Sequence, residues 1–234
     1  MAVAGWKAHL LNLLARISCW EGKSSDLPNC SQRNRVTYLN STVNMERIFF
    51  TSDTHFCHRR IIEMCHRPFE SMEQMEDILV DNWNQAVSKH DTVYHLGDFC
   101  LGNRDDWKRI LARLNGRVHL IVGNHDWNHL CPELESLFEE VSVQKLLRMD
   151  DVSIYLNHYP FLCYSGSSRG DVWQCFGHVH SRKDGCGNAD VERLNFLLPT
   201  QYDVGVDNNG YAPVEICDLR EIIHKQMECT IGRT

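Results

Sequence analysis

Short runs of aspartate, asparagine and histidine follow five apolar stretches of this 234-residue chain, and these are side chains that bind cations. Asp53-Thr-His55 follows Arg47-Ile-Phe-Phe-Thr51, and Gly97-Asp98 follows the run Thr92 to Leu96. Gly123-Asn-His-Asp126 follows Val118 to Val122, Asn157-His158 follows Val152 to Leu156, and Gly177-His-Val-His180 follows Val172 to Phe176. One Asp-x-His or one His-x-His alone is a weak signal, because a histidine at a strand tip is more often a hydrogen-bonded surface or core residue. Five in order are different: in open α/β sheets ligands gather beyond the carboxyl ends of the strands, so five such tips converge on one site. The donors are carboxylate, amide oxygen and imidazole without thiolate, a set suited to Mn, Fe, Zn, Co or Ni rather than to a thiolate-rich structural zinc site. Seven such groups exceed what one catalytic metal with an open position needs, and a carboxylate can bridge two ions, so two metals are expected. Two cations that share a hydroxide lower the pKa of its parent water and neutralise the attacking and leaving oxygens of an in-line displacement at phosphorus.

Such tips must be carried by strands, and apolar runs do alternate with helical patterns from Met45 onward, as in an α/β or mixed α/β sandwich. A sixth strand is expected over Tyr202 to Val206. Ser71-Met-Glu-Gln74 reads as a capping box opening a helix that buries Met75, Ile78, Leu79, Trp83 and Ala86. Trp107, Ile110, Leu111 and Leu114 form a second stripe stopped by Asn115-Gly116, and Asp218-Leu-Arg-Glu221 reads as the cap of a terminal helix through Leu219, Ile222 and Ile223. Gly97, Gly123 and Gly177 precede the donors and permit close backbone approach there. His95 lies two residues before Gly97 and is expected in the core, since only alternate strand positions face one layer.

Composition narrows the classes further. Hydrophobic residues at 43% and charged residues at 24% are those of an ordinary globular chain, and no run approaches bilayer-spanning length. A formal net charge of -7 argues against non-specific binding to nucleic acid or anionic membranes. The eleven cysteines are odd in number and form no Cys-x-x-Cys pair, so they read as reduced, packing thiols of a cytoplasmic protein. Residues 1–44 differ from the rest, with five basic side chains (Lys7, Arg16, Lys23, Arg33, Arg35) against two acidic ones (Glu21, Asp26). Trp6, Leu10, Leu13, Leu14 and Ile17 recur at helical spacing, but Lys7, His9, Asn12 and Arg16 interrupt any signal-peptide apolar region, so secretion is not expected. We read 1–44 as a mobile or dispensable extension, with a docking helix or a targeting peptide as alternatives, and 45–234 as the functional domain.

The order Asp53-x-His55, Gly97-Asp98, Gly123-Asn-His-Asp126, His158, Gly177-His-x-His180 resembles that of the calcineurin-like metallophosphoesterase superfamily, over Met45 to about Ile223. Arg67-Pro-Phe69 and Asp91-Thr-Val-Tyr-His-Leu-Gly-Asp98 are further likenesses, to the small stand-alone bacterial and phage-type phosphoesterases. The resemblance implies an α/β fold of the α+β kind, a four-layer α-β-β-α sandwich of two mixed sheets flanked by helices. It implies Asp53, His55 and His180 on one divalent metal and Asn124, His158 and His178 on a second, with Asp98 bridging; Mn comes first among the candidate ions. It also implies that His125 assists the leaving group and that Asp126 orients His125, the alternative for Asp126 being a helix cap.

Phosphate contacts are sought among residues that follow the donors: His58 and Arg104 first, then Arg59, Arg60, Asn103, Arg169 and Arg182, because arginine matches phosphate oxygens bidentately. Cys57 and Cys65 read as packing. The function expected is hydrolysis of a phosphate mono- or diester, with no membrane partner. A nuclease or dinucleotide hydrolase with the same site is the alternative enzyme, nucleic acid entering only as substrate. A metal-stabilised scaffold for a protein partner is the alternative from another class.

Overall fold

The computed structural model describes residues 46–181 and 191–231; the N-terminal extension, Met45 and Arg182 lie outside the described residues. Strand β1 (Ile48–Thr51) is followed by helices α1 (Arg60–Met64) and α2 (Met72–Ala86), strand β2 (Thr92–His95), helix α3 (Arg104–Leu111) and strand β3 (Arg117–Ile121). A 3-10 turn (Asp126–Asn128) and helix α4 (Pro132–Glu135) lead to β4 (Glu140–Ser142), β5 (Gln144–Arg148), β6 (Ser153–Asn157) and β7 (Val172–Phe176). A second 3-10 helix (Val191–Phe196), β8 (Gln201–Asp203), β9 (Val214–Glu215) and helix α5 (Ile216–Ile231) complete the described chain.

The strands form two sheets, ordered β4-β3-β2-β1-β9 and β5-β6-β7-β8. Each is mixed: β1 to β4 run parallel with β9 antiparallel to β1, and β6 to β8 run parallel with β5 antiparallel to β6. Two mixed sheets with flanking helices are the architecture expected. Period-2 alternation divides the first sheet between two cores. Phe49, Val93, Val118 and Leu120 pack with Met75, Leu79 and Trp83 of α2 and with Trp107 and Ile110 of α3. Phe50, Tyr94 and Ile121 point the other way, into a core shared with Ile154, Leu156 and Cys175 of the second sheet and with Leu219 and Ile223 of α5.

Helix starts follow the local chemistry. Ser71 Oγ accepts the Gln74 N–H at 3.1 Å, but the Gln74 side chain turns back to the Glu70 N–H, so the expected box closes one residue early. Asn103 and Asp106 form a reciprocal box that opens α3. The terminal helix begins at Ile216, directly after β9, so Asp218 sits in its first turn and complements the helix dipole instead of capping. No helix among the described residues is long and apolar enough to cross a membrane.

Candidate metal centre

The expected strand tips do meet. Beyond β1 the chain bridges from Ser52 to Gly205 after β8, which joins the ends of the two sheets, and the Gly177 N–H donates to His158 O at 2.9 Å, which ties the β7 tip to the β6 tip. Two glycines are there because there is no room for a side chain. A Cβ on Gly177 would lie 2.1 Å from Ser52 Oγ and 2.3 Å from Asp53 Oδ2; one on Gly123 would lie 2.3 Å from Asp98 Oδ1. The donors themselves are bent sharply: Asp53, His55, Asp98, His178 and His180 all have φ between 49° and 72°. That left-handed backbone is sparsely populated by non-glycine residues and costs on the order of 1–3 kcal/mol each, a strain that gathers at functional sites.

Six donors fall into two groups whose ligand atoms lie within 4.8 Å of one another: Asp53, His55 and His180, and Asp98, His158 and His178. Asp98 Oδ2 sits between them, 3.6 Å from His55 Nε2 and 3.5 Å from His158 Nε2. Asn124 joins the second group, its Oδ1 3.0 Å from His158 Nε2. Both aspartates are oriented through backbone amides: the His178 N–H reaches Asp53 Oδ2 at 2.9 Å and the His125 N–H reaches Asp98 Oδ1 at 2.9 Å.

The imidazoles are aimed by what binds their far nitrogen, as in metal sites generally. His158 Nδ1 lies 2.7 Å from Leu96 O and so carries the proton, which turns Nε2 toward Asp98. His180 Nδ1 lies 2.8 Å from Asp207 Oδ2, which leaves Nε2 facing Asp53 Oδ1 at 3.8 Å. Asp207 is held in turn by Arg67, whose Nε and Nη2 donate to its two oxygens at 2.9 and 2.8 Å. Arg67 also donates to Asp53 O and Thr54 O at 2.7 and 3.0 Å, so one buried guanidinium links the β1 tip to the residue that orients His180.

These residues fit a divalent cation. Among the described residues His55 Nε2 is buried without a hydrogen-bond partner although it faces the cluster, and a nitrogen in that state is stabilised by a metal. Burial, then the charges of His180, Arg67, His58 and His125, hold the His55 imidazole well below its ordinary value, in the neutral form a metal requires. Burial also disfavours charge on His158, but Asp98 and Asp53 outweigh it and push that imidazole up to about 9. The same acidic field at Nε2 favours a cation in the proton's place.

A cavity of about 340 Å³ opens over the cluster, bordered by Asp98, Asn124, His125, His178, His180, His55 and the α1 residues Arg60, Ile61 and Met64. His125 is at its mouth, 46% exposed, with its ring 5.3 Å from that of His55. Asp126 does not orient it. The Asp126 carboxylate is buried and accepts three backbone N–H groups, from Gly123 and Asp98 at 2.8 Å and Phe99 at 2.9 Å. It clamps the β2 and β3 tips together, closer to the capping alternative, and among the described residues its hydrogen bonds go to these amides and not to the ring of His125. Burial pushes its carboxyl up to about 6 against those hydrogen bonds.

His58 lines the cavity, but its Nδ1 lies 3.2 Å from His55 Nδ1 and so also buttresses that ring. Arg104 is not brought to the cluster: it is exposed at the start of α3 and pairs with Glu133 at 3.6 Å, while Asn103 serves as the helix cap. Arg60 borders the cavity instead, and Arg169 pairs with Asp171 at the surface. His95 is a core histidine, with Nε2 on Thr54 Oγ1 at 3.0 Å and burial pulling its pKa down to about 3. Cys65 is more than packing, since its thiol lies within 4.8 Å of the ligand atoms of His180 and Asp207. The largest omission is Asp207, which follows the run Tyr202 to Val206 as the other donors follow theirs; the strand-tip rule extended to a sixth run finds it.

The calcineurin-like phosphoesterase family model matches residues 46–204. An uncharacterized protein of Methanocaldococcus jannaschii, MJ1445, is 31% identical over 187 residues, which span 78% of this chain and 94% of that protein. The gene 66 protein of Mycobacterium phage L5 is 28% identical over 211 residues, spanning 78% of this chain and 98% of the phage protein. Among solved structures, the protein of unknown function AQ665 from Aquifex aeolicus superposes with a TM-score of 0.59 at 26% identity, over 76% of this chain and 99% of that one.

Proposed function

This chain belongs to the calcineurin-like phosphoesterase family, and on that premise we propose that it is a dinuclear-metal hydrolase of phosphate mono- or diesters. The observation that carries the proposal is the pair of adjacent three-donor groups, joined by Asp98 Oδ2, which lies 3.5 Å from His158 Nε2 of its own group and 3.6 Å from His55 Nε2 of the other. Asp53, His55 and His180 would hold one divalent cation and Asn124, His158 and His178 the other, with Asp98 shared. Manganese is the ion of choice, Fe, Zn, Co and Ni being alternatives with the same ligand preferences. Such cations, when bound, acidify a water for in-line attack and neutralise charge on the phosphoryl oxygens.

The chain's own residues do the rest. Asp98 fixes the backbone of His125 through its N–H, so the exposed imidazole stands over the cluster, with Nε2 4.0 Å from Asp98 Oδ2. From there it can hydrogen-bond a phosphoryl oxygen as negative charge develops on it or give a proton to the departing oxygen. Arg60 and His58 border the same cavity and offer the cationic and hydrogen-bonding contacts for the bound phosphate. A nuclease or dinucleotide hydrolase is the second reading, favoured by the apolar pocket of Tyr159, Phe161 and Phe196 that adjoins His178.

The test is hydrolysis of a chromogenic monoester and diester by manganese-loaded wild type and His125→Ala. Loss of a general acid lowers kcat by about 10²–10⁴-fold with metal content unchanged; equal turnover by both proteins contradicts the role. The proposal also keeps the division at Met45, in support of which the family match begins at residue 46. A chain trimmed to Met45 is expected to retain full turnover.

A further inference from the structure

We infer that the apolar pocket beside His178 is a substrate subsite for a flat aromatic ring, a nucleobase, carried by the substituent that stays on phosphorus during hydrolysis. The inference rests on the phosphoesterase reading and names a substrate class for it, nucleotide-type esters.

The pocket has a volume of about 490 Å³ and is walled by Tyr159, Phe161, Leu162, His178, Phe196 and Leu197. That size lies in the range of small-molecule sites, which are mostly apolar. Its rim holds large apolar surface in water: Leu162 is 85% exposed and Phe196 76%. Surface of this kind, gathered at a concavity, marks a binding face rather than the scattered exposure of a normal exterior.

The chemistry of the wall selects a ring. Phe161 is braced from behind by Tyr155 and Tyr164, with centroids 6.2 and 6.3 Å away, so its face is fixed before anything binds. The backbone groups of Tyr159 and Phe161 are already engaged. Tyr159 N–H donates to Asn157 Oδ1 at 2.8 Å, and Tyr159 O accepts Gln174 Nε2 at 2.9 Å. Phe161 N–H donates to Gln174 Oε1 and Phe161 O accepts Gln201 Nε2, each at 2.9 Å. The pocket therefore offers aromatic faces and methyl groups but few hydrogen-bonding edges, the arrangement that stacks bases without reading which base is present.

Its position gives the role. The Tyr159 ring lies 4.7 Å from that of His178 and 5.0 Å from that of His158, so the pocket shares a wall with the second donor group. His125 packs instead against His55 and His58, with ring centroids at 5.3 and 6.2 Å. The leaving oxygen stands in line with the attacking water, so a substituent that stays on phosphorus is equatorial; with the leaving oxygen toward His125, the Tyr159 wall beside His178 is left to that equatorial substituent. The ring in the pocket is thus attached to the group that is retained.

The test is calorimetric titration of the manganese-loaded full chain with thymidine 5′-monophosphate and with methyl phosphate, which share a phosphate and differ in the ring. Thymidine 5′-monophosphate is expected to bind about tenfold tighter or more, and the ratio is expected to fall toward one in Phe196→Ala and in Tyr159→Ala. Phe196 is exposed on a short 3-10 turn, so its truncation leaves the fold intact. Equal or undetectable affinity of the thymidine ligand, or a ratio unchanged in both variants, overturns the inference. In parallel, thymidine 5′-(p-nitrophenyl) phosphate and methyl p-nitrophenyl phosphate are offered as substrates with one common leaving group. Intact binding preference without turnover of either sinks the hydrolase reading and leaves the subsite standing; equal turnover of both with equal affinities does the reverse.

Discussion

Replacing Asp207 by asparagine removes one charge from the buried chain of contacts that aims His180, and its consequences can be worked out from the geometry. The Asp207 and Arg67 side chains are fully buried and joined by two hydrogen bonds of 2.8 and 2.9 Å, with His180 Nδ1 2.8 Å from Asp207 Oδ2. Burial disfavours the carboxylate, yet Arg67 and His180 hold it below its usual pKa, so it is ionised throughout the neutral range. Asparagine keeps the volume and one acceptor but leaves the guanidinium uncompensated. Breaking a buried pair from one side costs about 3–5 kcal/mol. The two backbone carbonyls that Arg67 retains argue for the lower end, about 3 kcal/mol. His180 loses its anionic partner at the same time, and loss of such an outer partner lowers metal affinity about 10–100-fold. Chemical denaturation of metal-free protein reads the first effect, and competition for manganese with a fluorescent chelator reads the second. The double variant Arg67→Met with Asp207→Asn is expected to recover much of the stability, since neither charge of the pair is left without its partner, but none of the affinity. A stability change under about 1 kcal/mol with an unchanged manganese affinity would refute the argument, as would restored affinity in the double variant.

Asp126→Ala leaves three buried backbone N–H groups without their acceptor, so a loss of about 3 kcal/mol or more in denaturant unfolding is expected. A near-neutral result accompanied by an altered pH profile of kcat would return Asp126 to the role of orienting His125. Asp91 makes a pH-dependent contribution: burial raises its pKa, but hydrogen bonds from Ser88 and Arg47 outweigh this and bring it from 3.8 to about 2. The stability it adds is then complete above pH about 3.8 and lost as pH falls through about 2. From that shift Asp91→Asn is expected to lose about 2 kcal/mol at neutral pH, with the gap to wild type closing only in acid. A gap independent of pH down to the acid transition contradicts it.

Much of this arrangement was legible in the sequence because it depends on local order. Donors placed directly after apolar runs land at strand tips, and parallel strands bring their tips together, so the seven donors and His125 converge as expected. The helices of the first core were legible for the same reason, since Met75, Leu79, Trp83, Trp107 and Ile110 recur at the helical period. What was missed depends on long-range geometry. Strand β9 is two residues long and exists because β1 offers an edge at Phe49 and Phe50. Strand β5, Gln144-Lys-Leu-Leu-Arg148, lacks clean alternation and is half-buried, yet it pairs with β6 along five positions. Asp126 was assigned to its neighbour in sequence, whereas its oxygens are taken by amides of another strand tip. Arg104 shares a loop with Asp98, but the Asn103 cap starts a helix there and directs it toward Glu133.

The measurement that bears most directly on the central claim is the ion count. Elemental analysis of manganese-equilibrated protein, paired with hydrolysis of phosphate mono- and diesters before and after chelation, is predicted to give about two ions per chain and a turnover that chelation abolishes and manganese restores. Well under one ion per chain, or turnover indifferent to the chelator, would contradict the assignment of these two donor groups to a dinuclear centre.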